Sequence, residues 1–162
     1  LEPVRRGVYR VAAAPSFRGE DVYATWLALD PPTPAYERPA DGTGPTASLN
    51  TAAWLLGLGE LRPEPMAFSC PRRRQSRDTS VRFARRELSP SDVTVAGGIP
   101  CTTPRRTVLD LIDAGEDLGR VAAVLRDAEA RGTCAGIEGD MDARARGCGF
   151  PNGLALYDYL RG

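Results

Sequence analysis

The chain has 162 residues, formally balanced at 21 basic and 21 acidic side chains, with 42% hydrophobic and 26% charged residues. That composition describes a globular chain and not a disordered one, long enough for one domain of ordinary size and too short for two. Every basic residue is Arg: neither Lys nor His occurs, which excludes a lysine nucleophile, an imidazole base, a histidine metal ligand and the lysine of a P-loop.

Arg5 to Ala14 (RRGVYRVAAA) opens the chain. Val8, Tyr9 and Val11 favour a strand, and Gly7 favours a tight turn before it. A strand with no partner before it is not a stable start, so the expectation is the tail of a unit that begins upstream. Glu20 to Leu29 (EDVYATWLAL) predicts a helix with acids in its first turn, apolar almost all round and therefore buried. Asp30 to Pro45 is rich in Pro and Gly and predicts a loop. Asn50 or Thr51 is placed to cap a short helix from Ala52 to Leu58, closed by Gly57 or Gly59. Trp26 and Trp54 are expected in the core.

A β region follows. Met66 to Cys70 and Ser80 to Arg86 are candidate strands, joined by an arginine-loaded turn. Val93 to Val95 and Ile99 to Thr102 flank Gly97-Gly98 and predict a hairpin. Thr103 followed by Pro104 is a strong helix start, with Val108, Leu111 and Ile112 as its apolar stripe. Glu116 to Arg131 predicts a second helix, Ile137 to Arg146 a weaker one, and Asn152 starts a last one with Leu156, Tyr157 and Leu160 inward. The fold class expected is α+β: a mostly antiparallel sheet packed with a C-terminal helical cluster. The apolar stretches are too short to cross a bilayer, and a soluble, cytoplasmic protein is expected.

Cys70, Cys101, Cys134 and Cys148 form no C-x-x-C pair, so free thiols are expected and not a zinc or redox site. Glu138, Asp140 and Asp142 are the best carboxylate cluster for Mg²⁺, as a metal-dependent nuclease or nucleotidyltransferase would need. No phosphate-binding turn precedes them, and they read as a solvated acidic turn. No catalytic residue, cofactor or metal is assigned.

The basic run says more. Cys70 to Arg86 holds Arg72, Arg73, Arg74, Arg77, Arg82, Arg85 and Arg86 against Asp78 alone, seven charges less one, or +6. Guanidinium forks suit phosphate oxygens, so the run is a candidate nucleic-acid contact. The competing reading is a solvated turn, or pairing with the acidic stretch from Thr107 onward, which has ten acids against six arginines. Arg5, Arg6 and Arg10 flank the opening strand and join the candidate list as wing-type contacts.

Several of these segments together resemble the AbiEi family of antitoxins. VRRGVYRV resembles the wing end of the family's winged helix, and DVYATWLALDP the segment after it. TAAWLLGLGEL resembles the family's Thr-Ala-x-x-x-x-Gly-Leu helix. The most specific run is DVTVAGGIPCTTPRRTVLDLI, similar to the family pattern from Asp92 through Leu111; LRDAEARG and the final helix are similar too. The chain departs from the family at Leu49 and Asn50, where a His is common between Ser48 and Thr51, at Leu56, where a His often precedes the Gly, and at Cys101, where Val is usual.

The resemblance implies residues 1–14 as the remnant of a winged-helix wing and residues 15–162 as the effector domain. It implies a non-enzymatic type IV antitoxin that represses its own promoter DNA through the winged helix, whose recognition helix is missing from these residues, so promoter binding is expected with the winged helix restored. The counterpart would be a nucleotidyltransferase-like toxin, countered without a stable complex. A standalone DNA-binding regulator, or the connecting module of an endonuclease-like protein, remains open.

Overall fold

The computed structural model describes residues 1–162. Its opening hairpin pairs β1 (Glu2–Arg5) with β2 (Val8–Arg10), antiparallel, around Arg6-Gly7. Gly7 sits at φ 80°, a conformation that a residue without Cβ adopts cheaply. The opening strand therefore has a partner. Glu2–Arg5 was missed because Pro3 and two charged residues hide its strand character.

The hairpin packs on α1 (Glu20–Leu29), the helix expected over those same residues. After the loop come β3 (Thr46–Ala47), α2 (Leu49–Leu56), β4 (Met66–Cys70), β5 (Val81–Arg85), and the β6–β7 hairpin (Val93–Ala96, Ile99–Thr102). Then come α3 (Pro104–Asp113), α4 (Leu118–Ala130), α5 (Ile137–Ala145) and α6 (Gly153–Arg161). The fold class is α+β, as expected from the sequence. No helix is long and apolar enough to cross a membrane.

The main sheet has the order β5-β4-β3-β7-β6. β3–β4 and β6–β7 are antiparallel, while β3–β7 and β4–β5 are parallel. With the opening hairpin, three of the five pairings are antiparallel.

Alternation along β4 divides the core in two. Phe68 belongs to a cluster of eight buried residues with Trp26 and Val22 of α1. Its neighbour Ala67 belongs to a cluster of nineteen with residues of all the later helices. A strand sends successive side chains to opposite faces, so the sheet is covered by α1 on one face and the helical cluster on the other. α2 serves both, through Ala52 on one side and Leu49 and Ala53 on the other.

The residues expected to cap α2 do other work. Ser48 occupies the N-cap position. Thr51 Oγ1 accepts from the Ala67 amide at 2.7 Å, and Asn50 Nδ2 donates to the carbonyls of Arg62 (2.7 Å) and Pro65 (2.9 Å). Both side chains pin the chain that leads into β4. Trp54 is half-buried, with the Arg18 guanidinium 4.7 Å from its ring centroid, whereas Trp26 is fully in the core.

Candidate nucleic-acid interface

The strand–turn–strand reading of the arginine run is corrected by the register. Met66, Phe68 and Cys70 stand opposite Val81, Phe83 and Arg85, in parallel. Residues 71–80 therefore run back the whole length of β4 as a crossover and do not turn at its tip. Tight hairpins join antiparallel neighbours only, so parallel pairing forces this longer path. The sequence signal was a charge run between two short strands, which carries no information on strand direction.

Arg72, Arg73, Arg74 and Arg77 lie on this crossover, all exposed. None is paired with a carboxylate. The one acid of the stretch, Asp78, is already engaged: its Oδ1 accepts from the Ser80 amide (2.9 Å) and hydroxyl (2.6 Å), and its other oxygen pairs with Arg5. The Ser80 bonds, first, and the Arg5 charge hold the Asp78 carboxyl below its ordinary value. The crossover thus presents four guanidiniums with their counter-charge spent elsewhere.

The other candidate arginines separate by position. Arg82 and Arg85 are three residues apart on an edge strand, hence on opposite faces. Arg82 Nη2 donates to Asn50 Oδ1 at 3.0 Å on the helical side, while Arg85 is exposed without a partner on the α1 side. Arg5 Nη1 donates to Thr25 Oγ1 (2.9 Å), and Arg10 binds Glu20 (3.0 and 3.1 Å) and Glu2 (2.6 Å). Arg10 is raised above its ordinary value, first by the Glu2 bond. Arg6, at the hairpin turn, is exposed and unpaired. The structure thus brings Arg5 and the crossover together, and gives Arg5, Arg10 and Arg82 internal partners.

Arg86, just past β5, serves the core. Its Nη1 donates to Asp110 Oδ1 at 2.9 Å, and Arg106 Nε donates to that same oxygen at 2.9 Å. Arg106 Nη1 reaches Asp92 Oδ2 at 2.9 Å, and the Thr103 amide donates to the Asp92 carbonyl at 2.8 Å. Thr103 Oγ1 caps α3 by accepting from the Arg106 amide at 3.3 Å, and Thr102 and Thr107 hydroxyls meet at 2.7 Å. The run from Asp92 to Leu111 is therefore one mechanical unit: a hairpin, a cap and a helix stitched by Asp92, Arg106 and Asp110. For Arg86 the competing reading holds, an arginine of the run paired with the acidic stretch after Thr107; residue spacing did not say which acid, because the partners lie in different elements.

The acidic cluster sits on helix α5 and not on a turn. Asp140 pairs with Arg105, and Asp142 Oδ1 accepts from the Gly153 amide at 2.6 Å. No group of three or more such side chains is placed to hold a metal ion. A cleft of about 690 Å³ lies between the segment entering β4 and the start of α4, where Arg82 and two more arginines alternate with four carboxylates. Such a lining has no dominant sign of charge. All four cysteines are free.

A model of the AbiEi antitoxin C-terminal domain matches residues 46–146. The chain belongs to the AbiEi antitoxin family. The matched span of this AbiEi antitoxin runs from β3 to just past α5, so it takes in the whole main sheet, the arginine crossover and the Asp92–Asp110 unit. The opening hairpin, α1 and α6 lie outside it. No curated protein and no solved structure gives a significant match. The role indicated for an AbiEi antitoxin is that of the antitoxin member of a toxin–antitoxin pair.

Proposed function

We propose that this AbiEi antitoxin works in a type IV toxin–antitoxin system, where it represses its own promoter and counters a nucleotidyltransferase-like toxin without a stable complex with it. It acts in the cytoplasm through surfaces and without turnover, since the chain has no ammonium or imidazole side chain for acid–base or nucleophilic work. The opening hairpin serves as the wing of a winged helix. Arg6, Arg72, Arg73, Arg74, Arg77 and Arg85 contact the DNA backbone, while Arg5, Arg10 and Arg82 hold the framework.

The observation that carries this reading is the set of four unpaired guanidiniums on the crossover. Exposed arginines without counter-charges release condensed counterions when they meet a polyphosphate, which is the main source of sequence-independent affinity. Replacing Arg72, Arg73 and Arg74 together by Ala is expected to flatten the salt dependence of promoter binding by roughly 2 to 3 units of slope. An unchanged slope takes these arginines off the DNA. Co-expression with the neighbouring toxin tests the antitoxin half, with rescue of growth as the expected result. Promoter binding without rescue would instead favour a standalone regulator, a reading that the arginine patch also supports.

A further inference from the structure

Asp78 is out of place on electrostatic grounds alone. A carboxylate among four phosphate-seeking arginines repels the polyanion they attract. Its bonds explain its presence. Asp78 gathers the return end of the crossover: it accepts from Ser80 through the amide and hydroxyl, its own amide donates to Ser76 Oγ at 3.0 Å, and its carbonyl accepts from the Val81 amide at 3.2 Å. The remaining carboxylate oxygen takes Arg5, whose guanidinium also reaches Ser80 Oγ at 3.5 Å and Thr25 Oγ1 at 2.9 Å. Thr25 is fully buried in α1 and itself donates to the Asp21 carbonyl at 2.6 Å, so the far end of this chain of bonds is rigid. Arg10 fixes the other strand of the hairpin to the first turn of α1 through Glu20. The hairpin turn with Arg6 and the crossover with Arg72, Arg73, Arg74 and Arg77 are thereby tied to one support.

We infer that Arg5 is a positioning residue which, through Asp78, locks the hairpin and the arginine crossover into a single preformed surface for the phosphate backbone of duplex DNA. The inference rests on the reading of the crossover as a nucleic-acid contact, and adds how that contact is organised. An unpinned ten-residue crossover has to be ordered at the moment of binding, at a cost in affinity; a pinned one has met that cost on folding.

The inference and plain electrostatics predict opposite signs for one substitution. Asp78→Asn removes a negative charge from a basic surface. Charge alone says that binding to DNA tightens; the lock says that it weakens. The test is fluorescence anisotropy of the 162-residue chain with a labelled duplex of about 30 base pairs, at about 50 mM and about 200 mM salt. Asp78→Asn is expected to bind about threefold or more weakly than wild type. Arg5→Gln is expected to weaken binding similarly, and the double variant to be no weaker than the worse single one, because both break the same link. Hydrogen exchange of the residue 71–80 amides supplies a readout independent of DNA and is expected to quicken in both variants.

Unchanged or tighter binding by Asp78→Asn overturns the inference, as do single effects that multiply in the double variant, or crossover amides no faster than in wild type. Failure of the underlying reading looks different: Arg72, Arg73 and Arg74 replaced by Ala with no loss of duplex binding, or a wild-type chain that binds polyglutamate and not duplex. The latter would assign the surface to an acidic protein partner.

Discussion

The Asp110 carboxylate has no exposed surface, and it accepts from the Nε of Arg106, one helical turn before it, at 2.9 Å. Arg86 closes on the same oxygen from the end of β5, so a single buried acid joins the edge of the sheet to α3. A buried carboxylate held by two arginines is costly to bury and more costly to orphan.

Removing that acid is therefore expected to leave two guanidiniums facing each other. Asp110→Ala should cost about 2 to 4 kcal/mol, below the range for a wholly buried pair because the two arginines keep some solvent contact. Urea unfolding monitored by circular dichroism measures it, and a loss under about 1 kcal/mol would mean that the pair is not a structural tie.

The same carboxyl sets a pH dependence. Burial pushes Asp110 up, Arg86 and Arg106 pull it back, and the balance lies above the ordinary value. A native value above the unfolded one gives a contribution that is fully present below the unfolded value and is lost as pH rises through the native one. The stability of wild type minus that of Asp110→Asn should accordingly fall as pH rises through the window just above the ordinary aspartate range. A difference that grows over that window would reverse the sign argued here.

Arg38 is expected to be irreplaceable by Lys. Its guanidinium lies 4.5 Å from the Trp26 ring centroid and donates to the carbonyls of Trp26 (2.6 Å), Leu27 (2.8 Å), Asp30 (2.6 Å) and Thr33 (2.9 Å). These include carbonyls of the last turn of α1, which no other side chain reaches, although Leu27 O also accepts from the Asp30 amide at 3.3 Å. Arg38→Ala should cost about 2 kcal/mol, and Lys should recover less than about half, since one ammonium cannot reach four oxygens and stack as well. Thermal melts of the three proteins decide it.

Gly153 is expected to tolerate no side chain. A Cβ there would stand 2.2 Å from the Glu138 carbonyl oxygen and 2.7 Å from the Asp142 nitrogen, both backbone atoms of α5. Gly153→Ala should destabilise by about 3 kcal/mol or more, as α6 must lift off α5. A midpoint in urea within error of wild type would contradict this packing.

Thiol reactivity should be graded by depth. Cys70, Cys101 and Cys134 are buried, and burial pushes the Cys101 thiol up to about 12; Cys148 is half-buried. Timed alkylation followed by intact mass is expected to find about one fast thiol, Cys148, in the native protein, and all four cysteines only in denaturant. Early modification of Cys101 would argue against this core.

Elements announced by local chemistry were legible in the sequence. α1 and the start of α3 fall where acidic first-turn residues and the Thr103-Pro104 pair put them, and Asn152 Oδ1 caps α6 by accepting from the Ala155 amide at 2.9 Å. Gly97-Gly98 likewise marked the β6–β7 hairpin. Elements that depend on distant partners were not. β3 is two residues long, yet it occupies the centre of the sheet, and only its neighbours β4 and β7 make it a strand. The direction of β5 is a tertiary fact of the same kind. At the candidate interface the charge of the run was plain from the residues, but not which arginines stay free: Arg82 and Arg86 are taken up by Asn50 and Asp110, which lie more than twenty residues away.

The parallel alignment of β4 and β5 also sets a floor on how short this part of the gene product can become. Five paired residues span about 16 Å, and a fully stretched chain covers about 3.5 Å per residue, so roughly five residues are the fewest that could make the return trip. The segment has about twice that, and the slack lies in its outgoing half, residues 71–75, since Ser76, Asp78 and Ser80 hold the return end; residues of the outgoing half can be gained, lost or exchanged while the strands keep their places. Evolution can thus retune the outward-facing chemistry of this stretch, in kind and in number, without renegotiating the architecture beneath it.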